Sequence, residues 1–154
     1  MPSDTAPPPS VRSLVRLDGP LREHRCAVAR YALAKGRPLN LDAITAILSA
    51  KELECETERH PFTRWTTDGL VTFLWGTVAE WCATRGIAIP PSTAESLWTY
   101  LTFLDDTGEL ASGSARIDRL REALRENTGI TAGGRARHPA GRRRGGEVRA
   151  LVRR

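Results

Sequence analysis

Five side chains carry atoms suited to holding a metal or to pairing a nucleophile with a base: His24, Cys26, Cys55, His60 and Cys82. Zinc takes four such donors in a tetrahedron, and the spacing argues against that set here. His24 and Cys26 stand two residues apart and leave a helix on different faces, while Cys82 lies in an apolar run where a free cysteine serves as a small hydrophobe. With three cysteines and no C-x-x-C pair, reduced thiols are expected rather than a zinc site or a disulfide framework. A Cys–His nucleophilic pair needs only that its partners meet in the fold, which sequence leaves open, but no signature surrounds any cysteine.

Carboxylates are the second chemical resource. Glu52, Glu54, Glu56 and Glu58 alternate with Leu53, Cys55 and Thr57, and Asp105-Asp106 closes a later helix. Such acids can hold a divalent cation or act as acid and base. Four acids on one solvated face and an Asp-rich turn are the simpler reading, so no catalytic residue, metal or cofactor is expected. Among the aromatics, Trp75, Trp81 and Trp98 fall in helical stripes and are expected in the core. Trp65, beside Arg64 in a loop, is expected to be the most exposed, either folded over the start of the next helix or free to stack on a base or a partner.

The elements that must position these groups all read as helices. Leu21, Val28 and Ala32, widened by Ala29 and Leu33, define a helix over 20–35 that Gly36 and Pro38 stop. Asn40 caps a short second helix carrying Leu41, Ile44, Ile47 and Leu48 and fraying after Ser49; residues 51–60 are read as further helix, ended at Pro61. Thr66 or Thr67 caps a helix over 70–84 that is apolar nearly all round, which suits the centre of a bundle. Ser92 and Glu95 form an S-x-x-E capping box ahead of Leu97, Leu101 and Leu104. Ser114 caps a last helix with Ile117, Leu120 and Leu124 inward and Arg116, Arg119, Arg121 and Arg125 outward.

No strand pair or βαβ unit is apparent, so the expected fold is all-α, a single compact bundle of about five helices. The segment 66–124, with its Phe73-Leu74-Trp75 and Leu101-Thr102-Phe103-Leu104 runs, resembles a group of small uncharacterised all-α proteins of high-GC Gram-positive bacteria. That resemblance implies a helical fold and no particular activity.

Charge divides the chain more sharply than any motif. Residues 131–154 hold eight arginines, Arg135, Arg137, Arg142, Arg143, Arg144, Arg149, Arg153 and Arg154, against Glu147 alone, a net of +7. The chain as a whole is +5, so residues 1–130 total −2. The expected organisation is a disordered Pro-rich lead-in over 1–12, a helical domain over 13–130 and a basic Arg/Gly-rich tail over 131–154. The tail has too little apolar surface to fold alone. Its guanidinium groups suit a polyphosphate backbone, releasing counterions with little sequence preference. Val148, Leu151 and Val152 give it a short amphipathic end that could instead meet a protein or an anionic surface.

The lead-in has one acid, no base and four prolines in its first ten residues, unlike a signal peptide, and no run reaches the roughly 18 apolar residues of a membrane span. The sequence thus predicts a cytoplasmic, non-enzymatic accessory or regulatory protein contacting DNA or RNA through those eight arginines. The alternative is a helical protein–protein interaction module, with a homo-oligomer included, whose tail is incidental.

Overall fold

The computed structural model describes residues 9–131 and 134–135, and three of its six helices start at a side-chain cap. In chain order they are α1 (Val11–Leu14), α2 (Gly19–Lys35), α3 (Leu41–Glu58), α4 (67–84), α5 (Thr93–Asp106) and α6 (Ile117–Thr128). The fold is all-α, with no β-strand among the described residues. The Asn40 side chain accepts from the Ala43 N–H at 2.9 Å and opens α3; the Thr66 hydroxyl accepts from the Gly69 N–H at 3.1 Å and opens α4. Gly36 and Gly129, both at positive φ, close α2 and α6.

Three local signals resolve differently. The second helix does not fray after Ser49: α3 runs unbroken to Glu58, because Ala50 and Lys51 are buried and continue its packed face. The capping box does not form, since Ser92 sits at φ +60 with no side-chain bond to the helix start, and the Thr93 hydroxyl donates instead to the Pro90 carbonyl at 2.6 Å. Ser114 caps nothing. Its hydroxyl accepts from the Trp65 N–H at 3.1 Å and donates to the Thr63 carbonyl at 3.4 Å, stitching the loop before α4 to the loop before α6.

The central helix is α5, not α4. Nine consecutive positions of α5, Ser96 to Leu104, are buried along with Thr93, and the helix packs against α2, α3 and α6. In α4 the middle turn, Phe73–Thr77, is a π-turn in which Val78 donates to the Phe73 carbonyl five residues back. The wider turn lets Leu70 before it, Phe73 and Leu74 within it, and Val78, Trp81 and Cys82 after it share the core, at the expense of Trp75, which is 60% exposed. Leu33 likewise points outward from α2.

Both ends of the domain differ slightly from the expected limits. Val11 is already buried, and Arg12 pairs with Asp42 at 2.8 Å, so the packed body begins before residue 13. At the other end Ile130 is buried, the Thr131 N–H donates to the Arg135 carbonyl at 2.8 Å, and Gly134 lies against the Trp98 indole. Gly134 has φ +73, and a Cβ on it would stand 2.4 Å from Trp98 Cδ1, so no larger residue fits there. Gly134, near the start of the arginine-rich segment, is therefore packed on α5. No helix among the described residues is long and apolar enough to cross a membrane.

Candidate functional site

Lys51, Glu54, Cys55 and Glu58 stand at i, i+3, i+4 and i+7 on α3, so one helix face gathers them. Lys51 is 3% exposed, an unusual place for an ammonium. Its Nζ is held by Glu54 Oε1 at 2.8 Å and lies over the Trp65 ring at 4.1 Å and the Phe73 ring at 5.7 Å. Carboxylate and ring quadrupoles together replace the water it has lost. The other oxygen of Glu54 accepts from the Thr77 hydroxyl at 3.3 Å, which the π-turn presents.

His60 joins this face by a backbone reversal. Arg59 caps α3 at φ +55, a left-handed conformation that costs a non-glycine residue about 1 kcal/mol. The chain turns back over the last helical turn, and His60 Nε2 comes to 3.3 Å from Glu54 Oε1 and 3.2 Å from Glu58 Oε2. On the other side of the ring, Nδ1 lies 3.1 Å from the Pro61 carbonyl. A carbonyl can only accept, so this contact engages the Nδ1 edge of the ring and leaves the Nε2 edge facing the two carboxylates. A cavity of about 200 Å³ opens here, walled by Lys51, Glu54, Glu58, His60, Arg64, Trp65, Thr66 and Gly69. The indole Nε1 of Trp65 is buried away from solvent, with no acceptor among the described residues.

Cys55 Sγ stands 3.6 Å from His60 Nδ1, so the cysteine and histidine that sequence left unconnected do meet. The geometry is wrong for a nucleophile. Nδ1 is already engaged by the Pro61 carbonyl, and burial, reinforced by Glu54 and Glu58, pushes the Cys55 thiol up despite the opposing pull of Lys51. The remaining histidine and cysteines of the first group stay apart. His24 bonds the Tyr100 hydroxyl at 3.0 Å inside a cage of Phe62, Tyr100 and Phe103, and burial lowers its pKa from 6.5. Cys26 is exposed, and Cys82 is buried in the core with its thiol pushed up by that burial.

The four glutamates do not share a face. A two-residue step turns a helix by about 200°, so Glu52 and Glu56 point away from Glu54 and Glu58, towards Asp18 and a cavity of about 280 Å³ beside α2. Burial raises the pKa of Glu52, with Asp18 and Glu56 adding to it. Of the Asp-rich turn, Asp106 accepts from the Tyr31 hydroxyl.

The tryptophan assignments invert. Trp65 is 1% exposed and packs edge-on to Phe73 and Tyr100, while Trp75 is in solvent; Trp81 and Trp98 are in the core as expected. Of the eight candidate arginines, Arg135 is exposed. Arg137, Arg142, Arg143, Arg144, Arg149, Arg153 and Arg154 lie outside the described residues. A second cationic group was not read from the sequence: Arg12, Arg16, Arg22 and Arg25, spread over α1, α2 and their connection, line one cavity of about 310 Å³. Arg12 is paired with Asp42, and Arg25 donates to Thr45 at 3.0 Å. Four arginines scattered over fourteen positions give no run to notice.

No protein-family model, no curated protein and no solved structure matches this chain.

Proposed function

We propose that this is a non-enzymatic accessory or regulatory protein that contacts DNA or RNA through the arginines of residues 131–154, without strong sequence preference. The observation that carries the reading is charge: a net +7 over 24 residues, joined to a body of net −2. Each guanidinium placed on a phosphate releases condensed counterions, an effect that depends on backbone charge and not on bases. The segment has no aromatic residue, so stacking does not contribute from it. The body adds the Arg12, Arg16, Arg22 and Arg25 cluster as a second phosphate-compatible surface.

The test is fluorescence anisotropy with duplex DNA and with structured RNA, across a salt series, for the full chain and for residues 1–135. That truncation keeps the Gly134 contact with Trp98 and removes seven arginines and one glutamate. The expected result is loss of most affinity and a salt slope reduced by about five if all six net charges engage phosphate. Equal affinity of the two proteins would overturn the reading.

A second reading, a helical interaction module, is favoured by one observation: Trp75 is held 60% exposed by the π-turn. An exposed tryptophan is costly unless a partner covers it. Self-association that survives the truncation and high salt but is lost in Trp75→Ala would place this reading first.

A further inference from the structure

We propose that Glu54, Glu58 and His60 bind a divalent first-row transition metal ion, with Zn²⁺ as the best fit. Among the described residues these three form the group whose donor atoms all lie within 4.8 Å of one another. Donors about 2.1 Å from a tetrahedral zinc stand about 3.4 Å from each other. The His60 Nε2 separations of 3.3 Å from Glu54 Oε1 and 3.2 Å from Glu58 Oε2 match that edge. The site is thus set near the size of the ion.

The ring orientation points the same way. The Pro61 carbonyl engages the Nδ1 edge of His60 and leaves the Nε2 edge facing one oxygen of each carboxylate. One metal ion placed among these three donor atoms would be taken by all of them. The outer contacts are those of oriented ligands. His60 is held through Nδ1 by a backbone carbonyl and Glu54 through Oε2 by the Thr77 hydroxyl, while Lys51 holds Oε1, the same oxygen that faces His60 and that the ion would share. Partners of this kind fix ring and carboxylate orientation in metal sites. Glu58, with its side chain 63% exposed, is free to swing onto the ion. The adjoining cavity of about 200 Å³ leaves room at the fourth position.

Ligand chemistry narrows the ion. One imidazole with two carboxylates suits Zn²⁺ and its first-row neighbours, whereas Ca²⁺ and Mg²⁺ want six or more oxygens. The Lys51 ammonium, neutralised by Glu54, lowers affinity and leaves Glu58 as the uncompensated charge. Cys55 lies on the Nδ1 side of the ring and is not a donor. This inference is independent of nucleic-acid binding and stands or falls separately.

The experiment uses the full chain, stripped with a chelator, titrated with Co²⁺ and followed by visible absorption, with Zn²⁺ added afterwards in competition. The expected result is one equivalent of Co²⁺ with ligand-field bands and no thiolate charge-transfer band, displaced by Zn²⁺. Affinity should fall by about tenfold or more in His60→Ala and in Glu58→Gln, and stay unchanged in His138→Ala. Glu58 is exposed enough that its variant keeps the fold, which circular dichroism checks. The proposal is overturned by the absence of saturable one-to-one binding at millimolar Co²⁺. Binding at wild-type strength in Glu58→Gln, or its loss in His138→Ala, overturns it equally.

Discussion

Helix α3 carries two pairs of glutamates of identical spacing and opposite character. Glu54 and Glu58 meet a buried lysine, a histidine returned by a left-handed turn and the hydroxyl of a π-turn. Glu52 and Glu56 stand with Asp18 in a cavity that Arg16 and Arg85 also line, and neither forms an ion pair among the described residues. What separates them is a rotation of about 200° and the identity of what the rest of the chain brings to each side. A string of alternating acids therefore says nothing about chemistry until the helix has been wound and its two faces assigned.

The largest test of that contrast is Trp65. Its ring supports Lys51 at 4.1 Å and is 1% exposed, so Trp65→Ala should cost about 4 kcal/mol in a denaturant melt. Trp75→Ala, on the outer side of the π-turn, should shift stability by less than about 0.5 kcal/mol. Comparable losses at the two positions would mean that Lys51 does not depend on the indole beneath it.

Next comes Glu54. Removing it leaves the Lys51 ammonium buried with rings alone for company, and Glu54→Ala should destabilise by about 3 kcal/mol. The same truncation at exposed Glu56 should fall within about 0.5 kcal/mol of the parent. Urea midpoints of the two variants measure the asymmetry of α3 directly, and a near-neutral Glu54→Ala would show that the two faces are energetically alike.

How much of this was legible follows from the range of each interaction. The caps at Asn40 and Thr66, the glycine stops and the inward Leu120 and Leu124 are local patterns, and the sequence predicts them correctly. The all-α bundle follows from their periodicity. Trp65 and Trp75 differ from expectation because their burial is decided elsewhere. Trp65 lies in a loop, yet its backbone N–H is tied to Ser114 and its ring to Tyr100, forty-nine and thirty-five residues away. Trp75 sits in an apolar run, but one extra residue in the turn rotates it outward. Such an insertion leaves no mark in hydrophobic spacing. The Lys51, Glu54, Glu58 spacing was visible, and its meaning depended on continuing the helix past Ser49. His60 was not assignable, because Arg59 in a left-handed turn is a conformation that sequence rarely announces.

The smallest effect is expected on the other face and carries a definite sign. Burial, then Asp18 and Glu56, raise the pKa of Glu52 above its ordinary 4.5. The folded state therefore binds the Glu52 proton more tightly than the unfolded chain does. Its contribution is fully present below pH 4.5 and is lost as pH rises through the higher folded-state value. At neutral pH an ionised Glu52 is thus slightly unfavourable, and Glu52→Gln should raise the melting temperature at pH 7 while leaving it unchanged at about pH 4. The Glu54 face should behave oppositely, since Lys51 needs its carboxylate ionised and Glu54→Gln lowers the melting temperature at pH 7. A gain for Glu52→Gln beside a loss for Glu54→Gln, two residues apart on one helix, is the signature of two environments. Losses at both positions would mean that a cation reaches the Asp18 side as well, and that the contrast between the faces is one of degree.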